Sequence, residues 1–233
     1  MRKTLIVTLL IVVVLILDQW LKVWVKLNVH YGEGFNLFGL DWAQIHFIEN
    51  PGMAFGLSYG GVTGKIILTT FRIVMVAILI YILRSLLKSK ESLGLLISFA
   101  LIIAGAMGNI IDSMFYGVIF SKSVFHGGLA EFMPEGGGYA PFLQGKVVDM
   151  FYFPLVDTKL PEWLPFWGGE RFQFFRPVFN LADSAISVGV ASIILFHRKF
   201  FKQEKKKGAP VEGSAQNDTY TSGIPTIYAS EEE

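Results

Sequence analysis

The chain of 233 residues contains no cysteine. That absence removes disulfide bonds, thiolate metal sites and a cysteine nucleophile together. Histidine is scarce and scattered, at positions 30, 46, 126 and 197, with no His-Glu-x-x-His spacing. Zinc hydrolysis therefore has no support, and neither a metal nor a cofactor is expected. Charge is thin as well: 17% of residues are charged and the formal net charge is +1. No basic, aromatic-interleaved surface exists, which argues against a nucleic-acid partner.

Apolar residues make up 52% of the chain, and they are concentrated. Four runs, 5–25, 66–83, 93–111 and 177–197, approach or exceed the roughly 20 residues needed to span hydrocarbon. The expected fold is a mainly α membrane protein with four transmembrane helices, over 1–27, 65–84, 93–114 and 177–197. The N-terminus has the look of a secretory signal, Arg2 and Lys3 followed by apolar residues. No small-residue cleavage site follows, so it is expected to remain as the first span.

Basic residues orient the spans. Arg2 and Lys3 precede the first, Arg84, Lys88 and Lys90 separate the second from the third, and Arg198, Lys199, Lys202 and Lys205 to Lys207 follow the fourth. The positive-inside rule then puts both termini and the 85–92 loop in the cytoplasm. Segment 28–64 becomes extracytoplasmic and β-rich, with a strand over 41–49 bounded by Gly, Asn and Pro and a small sheet on the membrane surface. Segment 115–176 is an extended extracytoplasmic loop, whose Trp163, Phe166, Trp167, Phe172, Phe174 and Phe175 suit an interfacial aromatic belt. The tail, 198–233, is expected to be cytoplasmic and disordered.

This topology gathers polar residues at one face of the membrane. Asp18 and Lys22 fall at the outer end of the first span, Asn109 and Asp112 at the outer end of the third, and Asn180 and Asp183 in the outer half of the fourth. An ionisable residue inside a span is expensive and usually marks a functional site. Asp183 is the clearest case, on a polar stripe with Asn180, Ser184 and Ser187 at helical spacing. A second acid close by would complete a hydrolytic pair, because two carboxyls sharing a proton leave one ionised to activate water and one neutral to protonate the leaving amine. Asp149, the one acid in an apolar stretch ending at Pro154, is a candidate, but by itself reads as a surface-loop acid. Composition does not choose it over Asp112 or Asp18.

Five motifs, in order along nearly the whole chain, resemble the lipoprotein signal peptidase (signal peptidase II) family of bacterial aspartyl membrane proteases. They are Asp18-Gln19-Trp20-Leu21-Lys22, Asn50-Pro51-Gly52-Met53-Ala54-Phe55-Gly56, Gly105-Ala106-Met107-Gly108-Asn109-Ile110-Ile111-Asp112, Val147-Val148-Asp149-Met150-Phe151 and Phe179-Asn180-Leu181-Ala182-Asp183. The resemblance implies that Asp149 and Asp183 are the catalytic dyad. It implies that Asn50, Gly52, Asn109 and Asn180 position substrate or dyad, and that Asp18, Lys22 and Asp112 support the site. It also implies a multi-pass protein of the bacterial inner membrane that cuts diacylglyceryl-modified prolipoproteins just before the lipidated cysteine. Membrane lipid is the other expected partner, and a monomer the expected state. One departure is Ser113, where the family's third motif usually carries an arginine after the aspartate. Another is a glycine-rich stretch that lengthens the interval from Asp112 to Asp149. The expected substrate groove runs between spans one, three and four, open sideways to the bilayer. Two other readings stand beside this one: a small proton- or cation-coupled carrier using Asp183 and Asp112, and a non-catalytic assembly factor using the outer loops.

Overall fold

The computed structural model describes residues 2–51, 61–154, 156–174 and 177–197. The expectations for Gly52 and for the 198–233 tail lie outside these residues. Among the described residues, three helices are long and apolar enough to cross a membrane: α1 (Arg2–Asn28), α2 (Gly61–Lys88) and α3 (Leu93–Ile111) with its continuation to Ile119. Helix α3 begins where the Ser92 hydroxyl accepts a hydrogen bond from the Leu95 amide at 3.3 Å. Beyond Ile111 the helix widens into a π turn, Asp112–Tyr116, and closes with one more α turn, α4 (Gly117–Ile119). π turns of this kind favour functional positions.

The fourth apolar helix, α5, covers Leu181–Phe196. It starts later than the apolar run does, because Val178 and Phe179 are drawn into a strand and Asn180 caps the helix. Asn180 therefore stands ahead of the helix, and the polar stripe expected on one helical face is in fact a cap followed by a helical face. Sixteen residues rise about 24 Å, short of a hydrocarbon core of about 30 Å.

Strands β1 (Gly34–Asn36) and β2 (Gln44–Asn50) form a hairpin, followed by β3 (Val147–Tyr152), the pair β4 (Val156–Lys159) and β5 (Arg171–Phe174), and β6 (Val178–Phe179). The main sheet is antiparallel with order β1-β2-β3-β6, while β4 and β5 pair only with each other. The sheet is thus larger than a β-rich 28–64 segment alone: β3, from the expected extended loop, is one of its central strands. Ile48 pairs with Asp149, Asn50 with Val147, and Phe151 with Phe179. Between Ile45 and Ile48 the register shifts, a bulge that bends β2. β2 alternates, turning Ile45, Phe47 and Glu49 inward. Ile45 and Phe47 join Val25, Val29, Tyr116, Phe120, Val148 and Met150 in the core beneath the sheet.

Helix α3 is the buried centre, packed on α1, α2 and α5. Its approach to α5 depends on small residues: a Cβ at Gly105 would strike the Ala182 carbonyl oxygen, and one at Gly189 would sit 2.6 Å from the Ser98 carbonyl oxygen. Small residues let membrane helices pack backbone to backbone. That closeness sets the first turn of α5 against the end of α3, where the polar residues converge.

Candidate active site

Three elements meet at the end of α3 nearest the sheet, each carrying acids placed by its own backbone. β3 presents Asp149, which is 2% exposed. The first turn of α5 presents Asp183, half-buried, and α3 presents Asn109 and Asp112. Asn180 ties the acids together. Its amide group donates to Asp149 Oδ1 at 2.7 Å, to Asn109 Oδ1 at 3.1 Å and to the Val148 carbonyl at 3.3 Å. Its carbonyl oxygen accepts from the Asp183 backbone amide at 2.9 Å, and its own backbone amide donates to Asp183 Oδ2 at 3.3 Å, completing a capping box. One asparagine, wholly buried, thus binds both carboxyl groups.

Asn109 completes the ring by donating to Asp183 Oδ1 at 2.8 Å. Its orientation is set from behind: Lys22 Nζ, which can only donate, sits 2.9 Å from Asn109 Oδ1 and forces the amide hydrogens toward Asp183. Lys22 is itself fully buried and lies 2.9 Å from both Asp18 Oδ2 and Asp112 Oδ2. It therefore bridges two acids from two helices, more than the i, i+4 neutralisation with Asp18 that spacing alone suggests. Asp18 Oδ1 also accepts from the Ala182 amide at 2.9 Å, at the buried start of α5, where the helix offers that amide no partner of its own. Asp112 Oδ2 accepts from the Val148 amide at 3.2 Å, fixing the strand residue just ahead of Asp149. Asn50, at the end of β2, hydrogen-bonds Asp149 as well.

Burial, followed by the charge of Asp183, pushes the Asp149 carboxyl up to about 7; Asn50, Lys22 and Asn180 pull the other way. At neutral pH this acid is poised between its two forms, which is what a group that must give and take a proton requires.

Every described residue expected at the site joins this network. Several that contribute were not singled out. Gln19 donates to Asp112 Oδ1 at 2.9 Å and to Asp18 Oδ2 at 3.2 Å, and accepts from the Tyr116 hydroxyl at 3.1 Å. Its signal was membership of the first motif. Arg72 was missed altogether, although it is the single charged residue in the apolar run 66–83. It lines a cavity of about 240 Å³ together with Phe71, Met75, Ala106, Asn109, Asp183 and Ile186. This cavity lies between α2, α3 and α5, whereas the expected groove runs between the first, third and fourth spans. Among the described residues, Asp18, Gln19 and Lys22 of α1 meet Asp112 on the other side of α3.

A profile of the signal peptidase (SPase) II family matches residues 10–199. The chain is 51% identical to a lipoprotein signal peptidase of Porphyromonas gingivalis over 191 residues, covering 82% of this chain and 81% of the relative. It is 37% identical over 195 residues to a lipoprotein signal peptidase of Amoebophilus asiaticus, covering 82% and 77%. Among solved structures, a bacterial membrane enzyme superposes with a TM-score of 0.53 at 25% identity, over 83% of this chain and 92% of the other. A second one superposes with a TM-score of 0.52 at 20% identity, a likeness of fold, over 89% and 93%.

Proposed function

This chain belongs to the signal peptidase II family, and on that premise we propose that its Asp149 and Asp183 are the dyad that hydrolyses the peptide bond. The protein is a membrane protease that removes signal peptides from prolipoproteins. The observation that carries the dyad assignment is the double engagement of Asn180, which holds one acid with its side-chain amide and the other through its capping box.

The chemistry follows from the environments. A water between the two carboxyls gives its proton to the ionised acid as it attacks the scissile carbonyl; the neutral acid hydrogen-bonds the developing oxyanion and then protonates the leaving amine. Asn109 and Asn180 hold the acids at a fixed separation, and Asn50 steadies Asp149 from the sheet side. Gly52 serves substrate binding next to Asn50. Asp18, Lys22 and Asp112 neutralise one another and lock Asn109 and the start of α5 in place.

The substrate is a diacylglyceryl-modified precursor, cut before the lipidated cysteine. An apolar cavity that reaches Asp183 supports this, because it lets the lipid-bearing end approach from the bilayer while the dyad stays near water. Four spans, cytoplasmic termini and a site near the extracytoplasmic face of the bacterial inner membrane follow from the charge pattern and from the convergence of the acids on the sheet end of the helices. The protein works as a monomer in contact with membrane lipid.

Asp149→Asn and Asp183→Asn test the assignment. Each is expected to leave the protein inserted and to lower cleavage of a diacylglyceryl-modified precursor by ~10⁴-fold, within the range seen when one member of a catalytic set is lost. The unmodified precursor should remain uncut by the wild type. Normal processing by either variant overturns the dyad.

A further inference from the structure

An arginine in the middle of an apolar helix needs a reason. Its charge is expensive at the centre of a span, and such residues face the bundle interior or a cavity and pair there. Arg72 fits that pattern. It is half-buried on α2, and it shares the cavity between α2, α3 and α5 with Asn109 and Asp183. Asp183, and after it Asp149, favours the guanidinium charge in that cavity.

The other cations around the dyad are directed elsewhere. Lys22, from α1, is divided between Asp18, Asp112 and Asn109. Lys65, about two turns before Arg72 on α2, donates to the Pro51 carbonyl at 2.8 Å. Lys146, just before β3, lies 3.4 Å from Glu49 Oε2. The acids facing the same region are Asp18, Asp112 and Glu49, all already paired. The positive field that reaches Asp183 from the cavity side is that of Arg72.

We propose that Arg72 is a positioning residue of the dyad: its guanidinium sets a positive charge on the wall of the cavity it shares with Asp183, so that the proton the two acids share rests on Asp149. The proposal builds on the dyad reading and adds to it an asymmetry. Asp149 becomes the general acid and Asp183 the general base. A guanidinium suits the task because it stays charged at any working pH and offers a planar fork of donors to a carboxylate. The upward displacement of the Asp149 carboxyl, to about 7, agrees with the proton resting there. The same arrangement accounts for Ser113. Its hydroxyl is buried and donates to the Asn109 carbonyl at 3.0 Å, so it supplies no charge. In this chain the arginine expected after Asp112 is absent, and a cation reaches the dyad from α2 instead.

The test uses the full chain in lipid nanodiscs with a diacylglyceryl-modified precursor, comparing wild type, Arg72→Gln, Arg72→Met and Arg72→Lys. Removing a cation beside a pair of coupled acids makes ionisation of the pair harder, so its apparent pKa values rise. Arg72→Gln and Arg72→Met should therefore lower kcat by ~10²-fold with KM changed by less than about threefold, and move the pH–rate profile about one unit toward higher pH. Arg72→Lys keeps the charge and should keep the profile in place at a reduced rate. A profile that stays at the wild-type pH in whichever neutral variant inserts overturns the inference, as does a shift in Arg72→Lys equal to that of the neutral variants. Cleavage retained by Asp149→Asn or Asp183→Asn overturns the dyad itself; inactive dyad variants with an unmoved profile in Arg72→Gln overturn this inference alone.

Discussion

Asn180 and Asp149 show how few atoms define the site. Asn180 has one acceptor and two donors to give, and all are committed within the ring of acids. Asp149 is held in a place that disfavours its charge. Its carboxyl, raised to about 7 from an ordinary 3.8, is mainly protonated in the folded protein and ionised in the unfolded chain between those values. Folded protein therefore binds more protons across that window, and stability falls as pH climbs from about 4 to about 7. Asp149→Asn removes the titration while keeping a group of the same shape. The variant is expected to be more stable than wild type at pH 8, by ~1–3 kcal/mol, and nearly unchanged at pH 4. Thermal or denaturant unfolding in matched micelles at the two pH values checks this. Equal effects at both would mean that Asp149 is not held at a cost.

At the level of elements, the site depends on how near α5 comes to α3. A Cβ at Gly105 would strike the Ala182 carbonyl, and one at Gly108 would strike the Asp18 carboxylate and crowd the Ala182 methyl. Gly105→Leu forces these helices apart where backbone faces backbone, and neither side has a flexible end to yield. It should cost more than about 3 kcal/mol and abolish cleavage by separating Asp183 from Asn109. Loss of folded protein in a size-exclusion and trypsin-resistance assay reads this out; full activity would show that α5 tolerates displacement.

Much at this scale was legible in the sequence. Long apolar runs located three helices, because a helix satisfies its own backbone and needs only length and greasiness to be recognised. Five ordered motifs placed Asp149 beside Asp183, something that periodicity alone did not do. The start of α5 was not legible: Val178 and Phe179 are apolar enough for a helix, and only pairing with Tyr152 and Phe151, far away in sequence, makes them a strand. β3 was hidden for the same reason, since a strand paired on both edges reads simply as a short apolar run. Arg72 was readable by the same argument that singled out Asp183, a lone charge in an apolar run.

Across the whole molecule, a second buried ion pair joins α1 to the sheet, and the segment that precedes β3 closes over it. Lys26 Nζ contacts Glu49 Oε1 and donates to the Ser123 hydroxyl at 2.9 Å, while the rings of Phe47, Phe120 and Tyr139 surround it at 5.3–5.8 Å. The Lys146 amide donates to the Tyr139 hydroxyl at 2.6 Å, carrying the order through to the start of β3. The long interval between Asp112 and Asp149 is thus folded back on α1 and β2. Breaking one partner of a buried pair leaves the other charge stranded. Lys26→Met should destabilise by ~3–5 kcal/mol and raise hydrogen exchange across 120–146, whereas Lys26→Met with Glu49→Leu should recover most of the loss. Unchanged exchange in the single variant would show that the aromatic seat, not the charge, holds the segment.

That seat has a bearing on any attempt to shorten the protein. Phe120, Ser123 and Tyr139 wall in an ammonium whose stem rises from the first helix, so excising their segment would open a wet ion pair directly beneath the sheet. A trimmed version would have to surrender Lys26 and Glu49 in the same step; the three pieces are removable as a set or not at all.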